Sequence, residues 1–246
     1  MKILLAPSET KKEGGEGEFN INSLIFPQIT PQRELLINKY LELINSGSIN
    51  ELKEIFGLKK EEEIKKFAKD ITKEPVMKAI MRYTGVAFDY IDYNSLDKES
   101  QKYIDENVLI FSNLFGVLKA DDKIPLYKLK QGAKLKDIDP KDIFKTALKE
   151  PLDNYLQNED ILDIRAGYYD KFYKPTKSYT TLKFIKNGKV VSHWAKAYRG
   201  LVLREIAINK IDNIKDFIAL EIENLDLLEI RESKQKQEII YEISED

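Results

Sequence analysis

The run Val191-Ser192-His193-Trp194-Ala195-Lys196-Ala197-Tyr198-Arg199-Gly200-Leu201-Val202-Leu203-Arg204 reads as the end of a strand passing into a helix. It holds the one His and the one Trp of the chain. Lys196 and Arg199 stand one helical turn apart and share a face. Tyr198, Leu201, Val202 and Ile206 form an apolar stripe on a neighbouring face, which seats the helix on a core. Two cations at a helix start oppose the helix dipole, and a bound anion would relieve that opposition. A solvated Lys/Arg pair on a surface helix is the alternative. Gly200 inside a helix is about 1 kcal/mol less favourable than Ala, which predicts close approach of another backbone.

Elements read outward from this helix. Residues 180–185 and 190–194 flank Lys186-Asn187-Gly188-Lys189, and Asn-Gly is a strong hairpin signal. Residues 225–231 and 238–243 read as a last hairpin with Ser233-Lys234-Gln235-Lys236-Gln237 at its tip. Residues 2–6, 108–111 and 161–165 are short apolar runs typical of buried strands. Residues 112–118 read as a loop, and 125–130 as a strand or extended segment. Residues 79–84 are read as a strand or a helix end. Pro31 opens a helix to about residue 45, with Leu35, Leu36, Tyr40 and Leu43 on its apolar face. Residues 50–56 and 60–71 are two further helices. Asp97 or Ser95 caps a helix to about residue 106. Pro151 interrupts a helix begun at Pro140. The pattern predicts one α+β domain over residues 1–246. It has a mixed central β-sheet, flanking helices and a helical subregion near residues 31–72.

Composition narrows the chemistry. Of 246 residues, 42% are hydrophobic and 33% charged, enough for a core under a heavily charged surface. The formal net charge of −2 gives no global attraction to nucleic acid, so an anion site must arise by local clustering. The absence of Cys excludes disulfides, thiolate metal sites and Cys nucleophiles. One His excludes a multi-His metal site within the chain and leaves only an oxygen-ligand Mg or Ca site open. No metal or cofactor is expected. The apolar run at the N-terminus is too short for a signal peptide or membrane span. The expectation is a cytoplasmic protein with no membrane partner.

Several strands end in polar or Gly-containing turns, and ligands gather at strand ends in such sheets. If these ends meet, one cleft holds Lys11, Lys128, Arg165, Lys196 and Arg199, with Tyr127 and Tyr168 as walls. Such a cleft would attract a phosphate-containing ligand or DNA despite the net charge. The Gly-rich loop from Pro7 to Gly17 follows the first strand, where phosphate loops lie, but matches neither the Walker nor the dinucleotide spacing. A plain surface loop is the other reading. Ser8 near Lys11 has the composition of a Ser–Lys pair in the wrong local context. His193 is read as a packed strand residue or a catalytic base without an identifiable partner, so no catalytic residue is assigned. Gly57, Lys59 and Lys60 form the turn of a helix-hairpin-helix or of an ordinary antiparallel helix pair, with Glu61, Glu62 and Glu63 following.

Together, Ile3-Leu4-Leu5-Ala6-Pro7-Ser8-Glu9-Thr10-Lys11, Tyr83-Thr84-Gly85, Leu114-Phe115-Gly116-Val117-Leu118, Tyr127-Lys128-Leu129, Gly132 and Ala195-Lys196-Ala197-Tyr198-Arg199-Gly200 resemble the YaaA family of peroxide-stress proteins. The match runs nearly the whole chain in order. The resemblance implies an α+β fold with a basic cleft and a helix-hairpin-helix. It also implies DNA binding through that cleft, in which Ser8 joins the residues above. The implied cellular role is the limitation of unincorporated iron and of oxidative DNA damage under hydrogen peroxide. Lys128 stands where Arg is common in the family, and the hairpin around Gly57 is the least similar part. No iron ligand set is visible, which makes an iron role indirect. An enzyme acting on a phosphorylated or nucleotide-like small molecule in the same cleft is the competing function.

Overall fold

The computed structural model describes residues 1–191 and 194–244. Strand β1 (Lys2–Leu5) pairs in parallel with β3 (Val108–Ser112) on one side and β6 (Ile161–Asp163) on the other. Every residue of β3 and β6 is buried. Successive side chains of a strand point to opposite faces, so complete burial means that both faces are covered. The parallel set continues through β7 (Tyr179–Lys186) to β10 (Lys236–Ile243). Antiparallel strands finish the edges: β4 (Gly116–Lys119) on β3, and β9 (Leu225–Glu232) on β10. The sheet order is β4-β3-β1-β6-β7-β10-β9, with β8 (Lys189–Val190) paired to β7. This is a mixed central sheet in an α+β fold.

Helices form from local signals where those are strong. Helix α1 (Thr30–Ser46) takes Pro31 in its first turn, where the missing N–H removes no helical bond. Helix α2 (Ile49–Phe56) starts with a reciprocal box: Glu51 N–H donates to Ser48 Oγ, and Ser48 N–H donates to the Glu51 carboxylate. It ends at Gly57, which adopts φ 67° and leads through Leu58-Lys59-Lys60 into α3 (Glu61–Phe67). Helices α4 (Ala79–Arg82) and α5 (Val86–Ile91) follow. Asp97 caps α6 (Lys98–Asn107) by accepting from Ser100 N–H. The helix opened by Pro140 breaks as expected into α7 (Pro140–Ala147) and α8 (Lys149–Leu156), with Pro151 near the start of the second.

Five expectations need correction. Residues 116–119 are strand β4 rather than loop, because Val117 and Leu118 are held by pairing to β3. Strand β2 (Val76–Lys78) pairs with β5 (Lys123–Pro125) in a separate two-stranded sheet, while residues 126–130 run outside any strand. The strand expected at 190–194 stops at Val190, and Trp194 already belongs to helix α9 (Trp194–Asn209). Helix α3 stops at Phe67, four residues early, and a separate 3-10 turn (Ile71–Lys73) capped by Asp70 follows. On α1, Leu35 is exposed and Ile37 takes the buried place. The short helix α10 (Ile214–Ala219) follows α9, and the last hairpin stands where the sequence put it.

Helix α9 lies on α5, α6 and β7, burying Tyr198, Val202, Leu203 and Ile206. A Cβ at Gly200 would sit 2.2 Å from the Ala87 carbonyl oxygen and 2.9 Å from Tyr90 Cβ. The predicted close approach is therefore to α5. Gly200→Ala should gain up to about 1 kcal/mol of helix propensity but lose more by forcing the two helices apart. The expected net loss is about 1–3 kcal/mol, read as a Tm lowered by several degrees in a thermal melt.

Candidate functional site

Connections leave β1 toward β3 and leave β6 toward β7, in opposite directions across the sheet. The carboxyl ends of β1 and β6 thus form a switch point, where the diverging chain leaves a crevice. A cleft of about 460 Å³ occupies that place. Its wall is built from Leu5 to Thr10 after β1, Thr84 to Phe88 at the start of α5, and Ile164, Ala166 and Tyr169 after β6. Gln131 closes one side, and Lys196 and Arg199 reach in from the start of α9.

The loop after β1 is held firmly. Lys12 N–H donates to the Arg82 carbonyl at 2.8 Å, and Thr84 N–H to the Thr10 carbonyl at 3.1 Å. The buried Arg82 guanidinium donates to the carbonyls of Lys12, Gly14, Pro75 and Ile124. Gly15 fits because a Cβ there would lie 2.5 Å from the Val76 carbonyl oxygen. The Gly-rich segment is therefore pinned to Arg82 and Val76, and its first residues, Pro7 to Thr10, form the wall. Within it, Thr10 Oγ1 donates to the Thr84 carbonyl at 3.0 Å, so the Ser8 hydroxyl donates to Thr10 Oγ1 at 3.0 Å. Thr10 N–H donates in turn to Ser8 Oγ. Each hydroxyl keeps one lone pair to offer.

Of the cations expected in the cleft, only Lys196 and Arg199 line it. Lys196 is exposed, and Arg199 is half-buried with a buried Nε that has no hydrogen-bond partner among the described residues. Burial lowers the Arg199 pKa, and the charge of Asp163 opposes that shift. Arg165 turns the other way. Its guanidinium donates to both Asp163 carboxylate oxygens, at 2.9 and 2.6 Å, and to the Tyr169 and Tyr173 carbonyls. It also lies 4.2 Å from the centroid of the Phe111 ring. It lies in the bend just past β6, between Ile164 and Ala166, which line the cleft, and these bonds hold it on the other side. Lys128 is spent on Glu9, donating to its carbonyl at 3.1 Å and standing 3.8 Å from its carboxylate.

Lys11 lies behind the wall. Its ammonium sits 4.2 Å from the centre of the Tyr127 ring and 5.0 Å from that of Tyr83. It donates to the Ser8 carbonyl, not to the Ser8 hydroxyl, so no Ser–Lys pair exists. Burial first, and then the neighbouring Lys128 charge, pulls its pKa down to about 7. Tyr127 is no wall of the cleft but a buried link. Ser112 Oγ accepts from Leu114 and Phe115 N–H and pairs with Tyr127 Oη at 2.8 Å, which pairs with Tyr83 Oη at 2.7 Å. Burial pushes the Tyr127 hydroxyl up to about 12. Tyr169, not Tyr168, lines the cleft, with its hydroxyl donating to Asn113 Oδ1 at 3.3 Å. His193 and Ser192 lie outside the described residues.

Gly57, Lys59 and Lys60 stand apart from this cleft. The N–H groups of Gly57 and Leu58 both donate to the Lys53 carbonyl, closing α2. The aliphatic stem of Lys130 packs where a Cβ on Gly57 would point, at 3.0 Å. Among the described residues, no group of three His, Cys, Asp or Glu side chains is placed to hold a metal ion, and no helix is long and apolar enough to cross a membrane.

This geometry defines an α+β protein with a small ligand-sized cleft at the switch point of its parallel strands, carrying two cations from one helix. The chain belongs to the family of peroxide stress protein YaaA, whose model matches residues 1–230 and so spans every residue of the cleft. It is 48% identical over 244 residues to an uncharacterised protein of Campylobacter jejuni, covering 99% of both chains. It is 30% identical to a UPF0246 protein of Corynebacterium glutamicum, covering 89% of this chain and 91% of the relative. Another UPF0246 protein, from Streptomyces coelicolor, is also 30% identical, with 84% and 82% covered.

The depressed Lys11 pKa has a stability signature. Between about pH 7 and its ordinary 10.5, the unfolded chain binds a proton at Lys11 that the folded chain has released. Unfolding free energy therefore rises with pH across that window. Above about pH 10 the buried tyrosines, whose pKa values are raised, begin to act in the opposite direction. Urea titrations from pH 7 to 9.5 should show midpoints rising with pH in the wild type, and Lys11→Met should flatten that slope.

Proposed function

We propose that the protein serves the peroxide stress response by binding a phosphorylated or nucleotide-like small molecule in the β1–β6 cleft. The observation that carries this reading is the pair Lys196 and Arg199 on the wall of an otherwise largely apolar cleft. Such a site suits a ligand with one anionic end and a compact body. The other three cations of the sequence reading are engaged within the protein or lie behind the wall, so they do not extend a basic track across the surface. Whether the bound molecule is turned over or sensed depends on a reacting group, and no nucleophile–base pair lines the cleft among the described residues.

Duplex DNA is the second reading, favoured by Lys59 and Lys60 exposed at the turn between α2 and α3. The family resemblance points the same way and adds a restraint on unincorporated iron and oxidative DNA damage. On this reading the turn meets phosphates, and the glutamates at 61–63 restrict how closely α3 can approach them.

Two measurements separate the readings. Millimolar nucleotides or sugar phosphates should raise Tm by occupying the cleft. Lys196→Ala should leave the ligand-free Tm unchanged within about 0.5 kcal/mol of stability while removing the ligand-induced shift. For DNA, log affinity should fall with log salt by about 0.9 per phosphate contacted, and a Lys59→Ala/Lys60→Ala double variant should flatten that slope. A slope unmoved by these substitutions, or affinity independent of salt, removes the turn as a DNA contact. A Tm unmoved by every phosphate compound tested removes the small-molecule reading.

A further inference from the structure

We infer that the cleft is specific for a phosphate monoester whose far end carries hydrogen-bond donors, and that it disfavours di- and triphosphates. This rests on the small-molecule reading above and narrows it. The first argument is a charge count. Lys196 and Arg199 are the cations that line the cleft. Arg165 is neutralised by Asp163 at 2.6 Å and Lys128 by Glu9 at 3.8 Å. Lys11 points its ammonium at the Ser8 carbonyl and two tyrosine rings behind the wall. Two cations balance one phosphate monoester, which carries about −1.5 to −2 charges near pH 7. A triphosphate would bring about two more negative charges against largely apolar walls, where they would be uncompensated.

The second argument is the direction of the hydrogen bonds. Lys196 and Arg199 sit one turn apart, with Cβ atoms on a helix roughly 5–6 Å from each other. That spacing converges on one compact anion better than on two separated carboxylates. Arg199 Nε is a buried donor without a partner among the described residues. Across from it, the two hydroxyls of the loop after β1 present acceptors to the cleft. The Thr10 hydroxyl hydrogen goes to the Thr84 carbonyl and the Ser8 hydrogen to Thr10, which leaves lone pairs on both oxygens. Beside them, the Glu9 carboxylate already accepts from Gln131 N–H. A ligand lying between these groups presents an anion to α9 and O–H or N–H groups to the loop after β1. A nucleoside monophosphate or an amino-sugar phosphate has that polarity, whereas phenyl phosphate has only the anionic end.

The test is calorimetric titration of the full chain with AMP, ADP, ATP and phenyl phosphate at one ionic strength. The expected order places AMP tightest, with ATP and phenyl phosphate each at least about tenfold weaker. Arg199→Met should weaken AMP at least tenfold and leave the already weak phenyl phosphate less affected in proportion. Lys196→Met, at an exposed position, serves the same purpose if Arg199→Met does not fold. Arg231→Gln on the remote strand β9 should change nothing. ATP binding as tightly as AMP overturns the single-phosphate inference while leaving the small-molecule reading in place. Phenyl phosphate binding as tightly as AMP overturns the donor requirement. The absence of binding by all four compounds overturns the small-molecule reading itself, and this inference with it.

Discussion

The parallel pairing of β1 with neighbours on both sides is the constraint from which the rest follows. Ile3, Leu4 and Leu5 register against Val108, Leu109 and Ile110, while Lys2, Ile3 and Leu4 register against Ile161, Leu162 and Asp163. A strand hydrogen-bonded along both edges and buried on both faces cannot shift by one residue without turning its whole side-chain set over. Its carboxyl end is thereby fixed beside that of β6. Because the connections then part in opposite directions, no backbone fills the gap between them. The cleft is a consequence of strand order, and the loops around it only decide its chemistry.

Buried arginines hold irregular backbone in place, and one of them, Arg82, holds a loop of the cleft. Arg33 is wholly buried and donates to the carbonyls of Phe115, Phe26 and Val117, at 3.0, 3.3 and 2.8 Å. Arg82 does the same for the segment that carries Ser8, Glu9 and Thr10 into the wall. A guanidinium offers five donors in a fixed fork, so one side chain can satisfy several carbonyls of irregular backbone at once. Burial lowers the Arg33 pKa to about 10, and the nearby Asp122 charge opposes that shift. At neutral pH Arg33 therefore remains charged and holds its carbonyls as a cation.

Much of the fold was legible because its signals are local. Period-3.6 apolar spacing marked α1 and α9, Asn187-Gly188 marked the turn after β7, and the apolar runs at Ile3, Val108 and Ile161 marked the central strands. Strands β2 and β4 were not legible, since three or four residues carry too little periodicity and only their partners make them strands. The site was half legible. Of the expected residues, Ser8, Lys196 and Arg199 line the cleft, but Arg165, drawn in by its place after a strand, is held away from it by Asp163. Thr10, Gln131 and Tyr169 were missed. Tyr169 could have been preferred to its neighbour only by knowing which side of the 3-10 turn (Gly167–Lys171) packs inward.

The buried and half-buried arginines differ in environment, and the difference decides what a positive residue means here. Arg33 and Arg82 are satisfied by carbonyls, and Arg165 and Lys128 by carboxylates. Arg199 keeps a buried donor with no partner among the described residues. It stands near the start of a sixteen-residue helix whose first turn has no acidic residue. The aligned peptide dipoles disfavour positive charge in the first turn, where Lys196 stands, by about 0.3–1 kcal/mol per residue, and partial burial opposes the Arg199 charge one turn further on. Among the described residues, neither effect is offset by a contact comparable to those of Arg165. Packing does not account for the placement either, because the helix seats itself through Tyr198, Val202 and Ile206 and approaches α5 through Gly200. Two cations on the wall of a cleft, one opposed by the dipole and the other by burial, are stabilised when an anion enters. The local arrangement of α9 is therefore more favourable with the cleft filled by an anion than with it empty.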